Sequence, residues 1–322
     1  MPRIFNPDGT FEDVDHVNFY LLNGSDIFVK SRSTPLCPVP KIVTGNRPAD
    51  GGNLILSEDE KNYFIEKYPQ DKKFIRTLIG GEEFLHNKKR YCLWLVDATP
   101  DEIKRNKFIY ERVKKCKEDR LKGAADRQKL ADTPHLFRET FVPSNAIVIP
   151  VVSSEKRKYI PMAYIDNQVI CTDRVKLIPN AEIWHFGILT SSVHMIWMRA
   201  VCGRLESRYN YSVKIVYNNF AWMNMEFGDY AELILAAGKI LKARKNYPDA
   251  SLADLYDEVT MPKDLRAAHR EVDKIVMRIY GYDESWSEEE IAIDLLKRYE
   301  FLSNYVDEHK HDKKISDDDD EE

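Results

Sequence analysis

The stretch Trp184 to Trp222, WHFGILTSSVHMIWMRAVCGRLESRYNYSVKIVYNNFAW, decides how the rest of the chain is read. Its first part, Trp184 to Ala200, is aromatic and mostly apolar. There Ile188, Val193, Ile196, Trp197 and Ala200 recur near helical spacing, which predicts a helix with one buried face. Gly203 then punctuates the chain. From Arg204 to Ser212 polar and bulky residues alternate, and Val213 to Tyr217 has the pattern of a strand. In an extended run Arg204, Glu206, Arg208 and Asn210 share one parity, and therefore one face. Charged and polar side chains in succession cannot serve a core, so that face needs water or a polar partner.

Working outward, residues 139 to 173 read as short strands, Ala146 to Val152, Tyr159 to Tyr164 and Val169 to Cys171, separated by polar turns. Lys156, Arg157 and Lys158 stand together in one of those turns. With Val175 to Ile178 and Ile183 to Phe186 these strands predict a mixed sheet. Upstream, Ser57 and Glu60 form an S-x-x-E capping box that opens a helix towards Tyr68. A second short helix is expected over Asp71 to Ile79, and Tyr91 to Val96 reads as a strand. A long basic helix follows, starting at Thr99-Pro100 and closed by Thr133-Pro134. Its apolar positions are sparse, which places it on the surface. Downstream of Trp222 the pattern is helical over Asp229 to Asn246, Ser251 to Tyr256, Pro262 to Tyr280 and Glu288 to Tyr305. The fold class expected is α+β: a mixed β-sheet domain flanked by a helical spacer and a C-terminal α-helical cap.

Composition narrows the function. At 322 residues with 43% hydrophobic content the chain can bury a sizeable core. No apolar run is long enough to span a membrane and the N-terminus lacks a signal-peptide core, so the expectation is a cytoplasmic protein with no membrane partner. Five cysteines without a C-x-x-C pair argue for reduced thiols rather than a disulfide or zinc framework. The net charge of −5 is misleading, because residues 305 to 322 hold nine acidic and three basic side chains, leaving the remainder at +1. That tail, ending DDDDEE, reads as disordered. Residues 102 to 129 carry eleven Lys or Arg against five Asp or Glu, either an anion-binding surface or simply a solvated face.

Catalytic motifs are missing. An amino-methyltransferase acting on adenine needs a Gly-rich turn for S-adenosylmethionine and a [DNS]-P-P-[YFW] loop, and NPDG at Asn6 is the nearest string to the second. Gly51-Gly52 has no following Lys-Ser/Thr and reads as a tight turn, not a phosphate loop. His185 and His194 sit in an apolar segment without carboxylate or Cys at ligand spacing, which favours a core role. Ser191 and Ser192 have no evident base. YNNF at Tyr217 reads as a strand end plus turn in preference to a base-stacking platform.

The strings SSVHM, GRLESRYNYS and YNNF resemble the target-recognition part of the MmeI-like enzymes, type IIL restriction-modification proteins. The resemblance continues through PADGGNLILSEDEK, GGEEFLHNKKRYCLWLVDATPDEI, TPHLF, SSEKRKYIPMAYID and PDASLADLYDEVTMP, and covers residues 23 to 282. In that family one polypeptide carries a nuclease, a helical spacer, an adenine-N6 methyltransferase domain and then this region. The resemblance therefore implies a DNA-recognition module lacking its own catalytic motifs. Its partners would be double-stranded DNA and a methyltransferase domain or subunit, with no cofactor on this chain and S-adenosylmethionine in the methyltransferase domain. The organisation expected is residues 1–56 as a junction to that domain, 57–138 as a helical subdomain, 139–222 as the target-recognition domain, 223–306 as a C-terminal helical subdomain and 307–322 as the tail. Base reading is expected from Glu206 and Arg208, about 6–7 Å apart on one strand face, with Arg204 and Asn210 on the same parity. Backbone contacts are expected from Lys156, Arg157, Lys158, Arg174 and Lys176. The alternative is a structural or protein-interaction module that reads no bases, in which Glu206 and Arg208 form only an exposed ion pair.

Overall fold

The computed structural model describes residues 1–5 and 9–318, with side chains to residue 309; the first three residues of the NPDG string and the last tail residues, 319–322, fall outside them. The architecture is α+β, but the strands form several small sheets instead of one. Strands β1 (Arg3–Phe5) and β2 (Phe11–Asp13) pair as an N-terminal hairpin. A four-stranded sheet takes β3 (Val43–Thr44), β7 (Asn145–Pro150), β9 (Ala163–Asp166) and β11 (Val175–Pro179) in the order β3-β11-β7-β9, antiparallel throughout. A second takes β4 (Ile55–Leu56), β5 (Ile75–Ile79), β6 (Tyr91–Leu93) and β10 (Val169–Cys171) in the order β10-β5-β6-β4. There β10 runs parallel to β5, with Val169 opposite Thr77 and Cys171 opposite Ile79. This parallel pair fastens the sheet of residues 55–93 to the segment between β9 and β11. The third sheet joins β8 (Val152–Ser153), β12 (Gly203–Leu205) and β13 (Arg208–Asn210) in the order β12-β13-β8. Of the expected strand over Tyr159 to Tyr164, only its last residues belong to β9; Tyr159, Ile160 and Met162 are buried core.

Several local expectations are overturned by hydrogen-bond geometry. The apolar run is two helices, α6 (Ile183–Leu189) and α7 (Ser192–Val201), so Ile183 to Phe186 is helical and not a strand. The break lies at Thr190-Ser191, where the Thr190 hydroxyl donates to the Phe186 carbonyl (2.7 Å) and the Ser191 hydroxyl to that of Ile188 (2.7 Å). Ser191 then caps α7, accepting from the His194 amide. Val213–Tyr217 is a wide π-turn rather than a strand. The Asn219 amide donates to the Lys214 and Ile215 carbonyls, and the Trp197 indole to that of Val216 (2.8 Å), satisfying acceptors that such a turn leaves open. The expected helix over Asp71 to Ile79 is a 3-10 turn, Pro69–Phe74, running into β5.

Local signals elsewhere hold. Helix α1 (Glu58–Lys67) begins at the Ser57/Glu60 capping box. Gly51 and Gly52 both take positive φ, as a tight turn needs, and Asp50 accepts from the amides of Gly52 and Leu54. The short helix α2 (Gly81–His86) follows β5. The long basic helix is interrupted. Helix α3 (Pro100–Arg105) ends at Asn106, which caps α4 (Lys107–Leu121), and α5 (Ala125–Gln128) follows after Gly123. Nor does this segment lie wholly on the surface, since Ile109, Cys116 and Arg120 of α4 are fully buried. Arg120 is a structural residue: its guanidinium donates to the carbonyls of Pro48, Ala49, Leu130, Thr133 and Leu136.

The C-terminal helices are α8 (Phe227–Lys245), α9 (Leu252–Leu255), α10 (Lys263–Tyr280) and α11 (Glu288–Asp318), the last continuing into the stretch whose composition reads as a disordered tail. They share one hydrophobic core with α6, α7 and β7. Gly187 lets α6 approach α8, because a Cβ there would lie 2.7 Å from a Leu233 methyl. Asp273 of α10 is a buried joint, accepting from the Tyr159 hydroxyl (2.6 Å) and from the Ser192 amide at the start of α7 (2.7 Å). Burial raises its pKa while those two donors oppose the shift.

Candidate nucleic-acid interface

One cleft of about 580 Å³ gathers cations from segments far apart in sequence. Arg157 comes from the turn after β8, Arg174 and Lys176 from the β10–β11 turn and β11, Arg208 from β13, and Arg90 from the residue before β6. The β5–β10 parallel pair and the β8–β13 pair bring these segments to one place. Arg157 is half-buried, its guanidinium donating to the Ser153 hydroxyl (3.3 Å), and burial pulls its pKa down. Arginine nonetheless remains protonated. Lys176 is also lowered by burial, against the opposing effect of Asp173, and its ammonium donates to the Thr44 hydroxyl (3.0 Å). Arg174 and Arg208 are exposed. Two fixed, partly desolvated cations beside two exposed ones in a concavity suit an anion with spaced charges.

Of the nine side chains singled out from sequence, Arg157, Arg174, Lys176 and Arg208 line the cleft. Lys156 and Lys158 are exposed on the turn beside it, with the Lys156 amide donating to the Ser154 hydroxyl. The remaining three lie on the hairpin and its turn, and there the one-face arrangement is wrong. Leu205 pairs with Arg208 across the ladder, so Glu206 and Ser207 are a two-residue turn and not part of a continuous strand. Glu206 has φ +58°, the left-handed conformation such hairpin turns demand. Glu206 and Arg208 are still neighbours, the guanidinium donating to the carboxylate at 2.7 Å on an exposed tip. Arg204, opposite Tyr209, faces away from Arg208, and its guanidinium caps the Tyr209 ring 4.1 Å from the centroid. Asn210 is half-buried, between Gly203 of β12 and Val152 of β8.

Sequence reasoning misses Arg90, His86, Glu83 and Asp173, which also line the cleft. Arg90 ends the basic string KKR, but only the β5–β10 pairing brings it to the cleft with Arg174 and Arg208. The eleven cations of residues 102 to 129 are absent from the cleft lining. His194 is buried with its Nε2 2.9 Å from the Tyr211 hydroxyl, and desolvation lowers its pKa to about 3. His185 is buried beneath Trp184, with its Nδ1 accepting from the Glu182 amide and its pKa lowered by burial to about 4. Among the described residues no His/Cys/Asp/Glu group is arranged to hold a metal ion, and no helix is long and apolar enough to cross a membrane.

Fold and cleft together define an α+β module with a cation-bearing cleft, packed against C-terminal helices. Comparison with known proteins places it more closely. The family model described as MmeI, target recognition domain, matches residues 23–224, and that described as MmeI, C-terminal domain, matches residues 231–306. DNA methyltransferase A of Bacillus subtilis (strain 168) is 39% identical over 298 residues, which cover 92% of this chain and 34% of that protein. A solved structure of the type IIL restriction-modification enzyme MmeI in complex with DNA is 39% identical, with a TM-score of 0.86 over 93% of this chain and 40% of its own. The chain belongs to the MmeI family, of which it carries the target recognition and C-terminal domains. It spans little more than a third of the length of these relatives.

Proposed function

We propose that the chain is the sequence-recognition module of a DNA adenine-N6 methyltransferase within a restriction-modification system. It holds duplex DNA against the cleft and reads base pairs with the hairpin. The observation that carries this reading is the convergence of Arg157, Arg174, Lys176 and Arg208 from three separate stretches of chain beside an exposed two-stranded ribbon. The major groove, about 12 Å across, admits a two-stranded ribbon. Arg157, Arg174 and Lys176, with Lys156 and Lys158 on the rim, position the phosphates; Glu206 and Arg208 at the tip face the base edges, with Asn210 and Arg204 behind them. Glu206 accepts from a cytosine amino group and Arg208 donates to guanine O6 and N7, so that the two read one C·G pair.

The chain supplies no methyl-transfer chemistry in this reading. Among its charged lining residues the cleft has five Arg or Lys against three Asp or Glu, a balance that disfavours the sulfonium cation of S-adenosylmethionine, and neither catalytic motif occurs in its sequence. The cofactor therefore belongs to a methyltransferase domain or subunit that partners it. Support comes from the relatives, one called a DNA methyltransferase and one solved as a DNA complex. The test is duplex binding by the chain supplied with a family methyltransferase, in a salt series. Binding should weaken linearly on a log–log plot, and Arg174→Ala with Lys176→Ala should flatten the slope by about 0.9 for each phosphate left unneutralised. Salt-independent binding, or none, would leave a protein-interaction module as the better reading.

A further inference from the structure

A second basic surface lies on α10. Lys263, Arg266, Arg270 and Lys274 recur at intervals of three or four residues and line one shallow groove around the small side chain of Ala267. The opposite side of α10, with Leu265, Val272 and Val276, is fully buried, so helix packing fixes the direction of the cations. Lys263, Arg270 and Lys274 are exposed. Among the described residues Lys263 and Arg270 have no ion-pair partner, and Lys274 meets only the exposed Glu284. Such a surface pair exchanges readily for a better anion. Glu271, the one acid of the groove, is already engaged by Lys239 of α8 at 2.6 Å.

The stripe begins near the cleft. Asp257, just before α10, acts on the Arg157 guanidinium of the cleft wall. Its neighbour Glu258 accepts from Arg266 through its carbonyl (2.7 Å). Arg266 and Arg270 both lie close enough to act on the Tyr159 phenol, which follows Lys158 and is bonded to Asp273 of α10. Arg157 and Lys158 on one side and the α10 cations on the other are thus joined through Tyr159, Asp273 and the Asp257–Glu258 turn. From Lys263 to Lys274 the outer face of the helix extends about 16 Å, the axial rise of roughly five base pairs.

We propose that this α10 stripe holds the phosphate backbone of the duplex beyond the base pairs read in the cleft, making the C-terminal helical domain a second DNA-contacting surface. The proposal rests on the duplex reading of the cleft. A polyanion fits because the stripe offers regularly spaced positive charge and no large apolar side chain to anchor a protein partner.

The test uses the full chain, supplied with the same family methyltransferase, in fluorescence anisotropy titrations at rising salt. One duplex just fills the cleft, and the other is longer by about ten base pairs, one helical turn. The variant is Lys263→Gln/Arg270→Gln/Lys274→Gln, in which glutamine keeps the helix propensity and Arg266 keeps its bond to Glu258. The parent should prefer the longer duplex. The variant should bind the short duplex as the parent does, lose on the order of tenfold of the long-duplex advantage at low salt, and show a slope shallower by about 2–3. Lys263→Arg/Lys274→Arg should retain the advantage. If the triple variant keeps the full long-duplex advantage, or loses equally on both lengths, the stripe does not extend the binding surface. If the parent binds neither duplex, the cleft reading falls and this proposal falls with it.

Discussion

Exchanging the charges at the hairpin tip, Glu206→Lys with Arg208→Asp, should change the base pair that is read without unfolding the protein. The structure separates the two effects. The Glu206–Arg208 pair is 2.7 Å apart with side chains 77% and 47% exposed, so its contribution to stability is about 0–1 kcal/mol, and the reversed pair can reform it. Glu206 already occupies the left-handed region at φ +58°, and lysine there bears the same backbone strain as glutamate. Melting should therefore move little. Recognition should move much more, because each base contact is worth about 1–3 kcal/mol of discrimination and two are exchanged at once. Even the lower figure for both, about 2 kcal/mol, is roughly a thirtyfold change in preference. Lysine would meet guanine and aspartate the cytosine amino group, so the preference should turn from C·G to G·C at one position and leave the others unchanged. The assay is methylation of a randomised duplex library by the chain assembled with a family methyltransferase, followed by sequencing of the methylated sites. A double variant that methylates the parental site at full rate would refute the assignment of these two side chains to that base pair.

Two further outcomes follow from buried groups. Burial holds His185 and His194 at pKa values of about 4 and 3, and His269 well below the ordinary value, while all three titrate near 6.5 when unfolded. The unfolded chain then binds protons that the folded one does not, so stability is full above about pH 6.5 and falls as pH drops, by up to about 1.4 kcal/mol per pH unit for each histidine. Chemical denaturation between pH 7 and 4 should show this limb, and His194→Gln should flatten it; an unchanged slope would mean that His194 is not the neutral buried group described. Arg120→Ala should destabilise by about 3–5 kcal/mol, since five carbonyls are left without their donor, whereas an exposed cation of the same helix, such as Lys117→Ala, should cost less than about 0.5 kcal/mol by the same measurement.

What the sequence discloses about this molecule is its local chemistry, and what it conceals is where long-range pairing directs that chemistry. The Ser57/Glu60 cap, the Thr99-Pro100 helix start and the Gly51-Gly52 turn are all legible because each depends on residues within a few positions of one another. The C-terminal helices are legible too, from a periodicity that the shared core buries. The break at Thr190-Ser191 is harder to see, because hydroxyl bonds to the preceding turn compete with an apolar pattern that by itself favours one helix. Glu206 shows the limit most sharply. Its proximity to Arg208 follows from spacing alone, yet the alternation of Arg204 to Asn210 fits a single strand as well as a hairpin closed by Glu206 and Ser207, and only the Leu205–Arg208 pairing decides between them. That decision turns Arg204 to the opposite face, onto Tyr209, and leaves Glu206 and Arg208 at the outermost point of the ribbon. The cleft depends on the same kind of pairing. Residues 80 to 90 reach Arg174 and Arg208 only because three residues of β10 lie parallel to three of β5, across about ninety positions of sequence. The pairing carries few hydrogen bonds and the cations it assembles repel one another. The inward anchors Cys171 and Phe84, which lie in one hydrophobic cluster with β7 and β11, must therefore hold the cleft walls together against that repulsion.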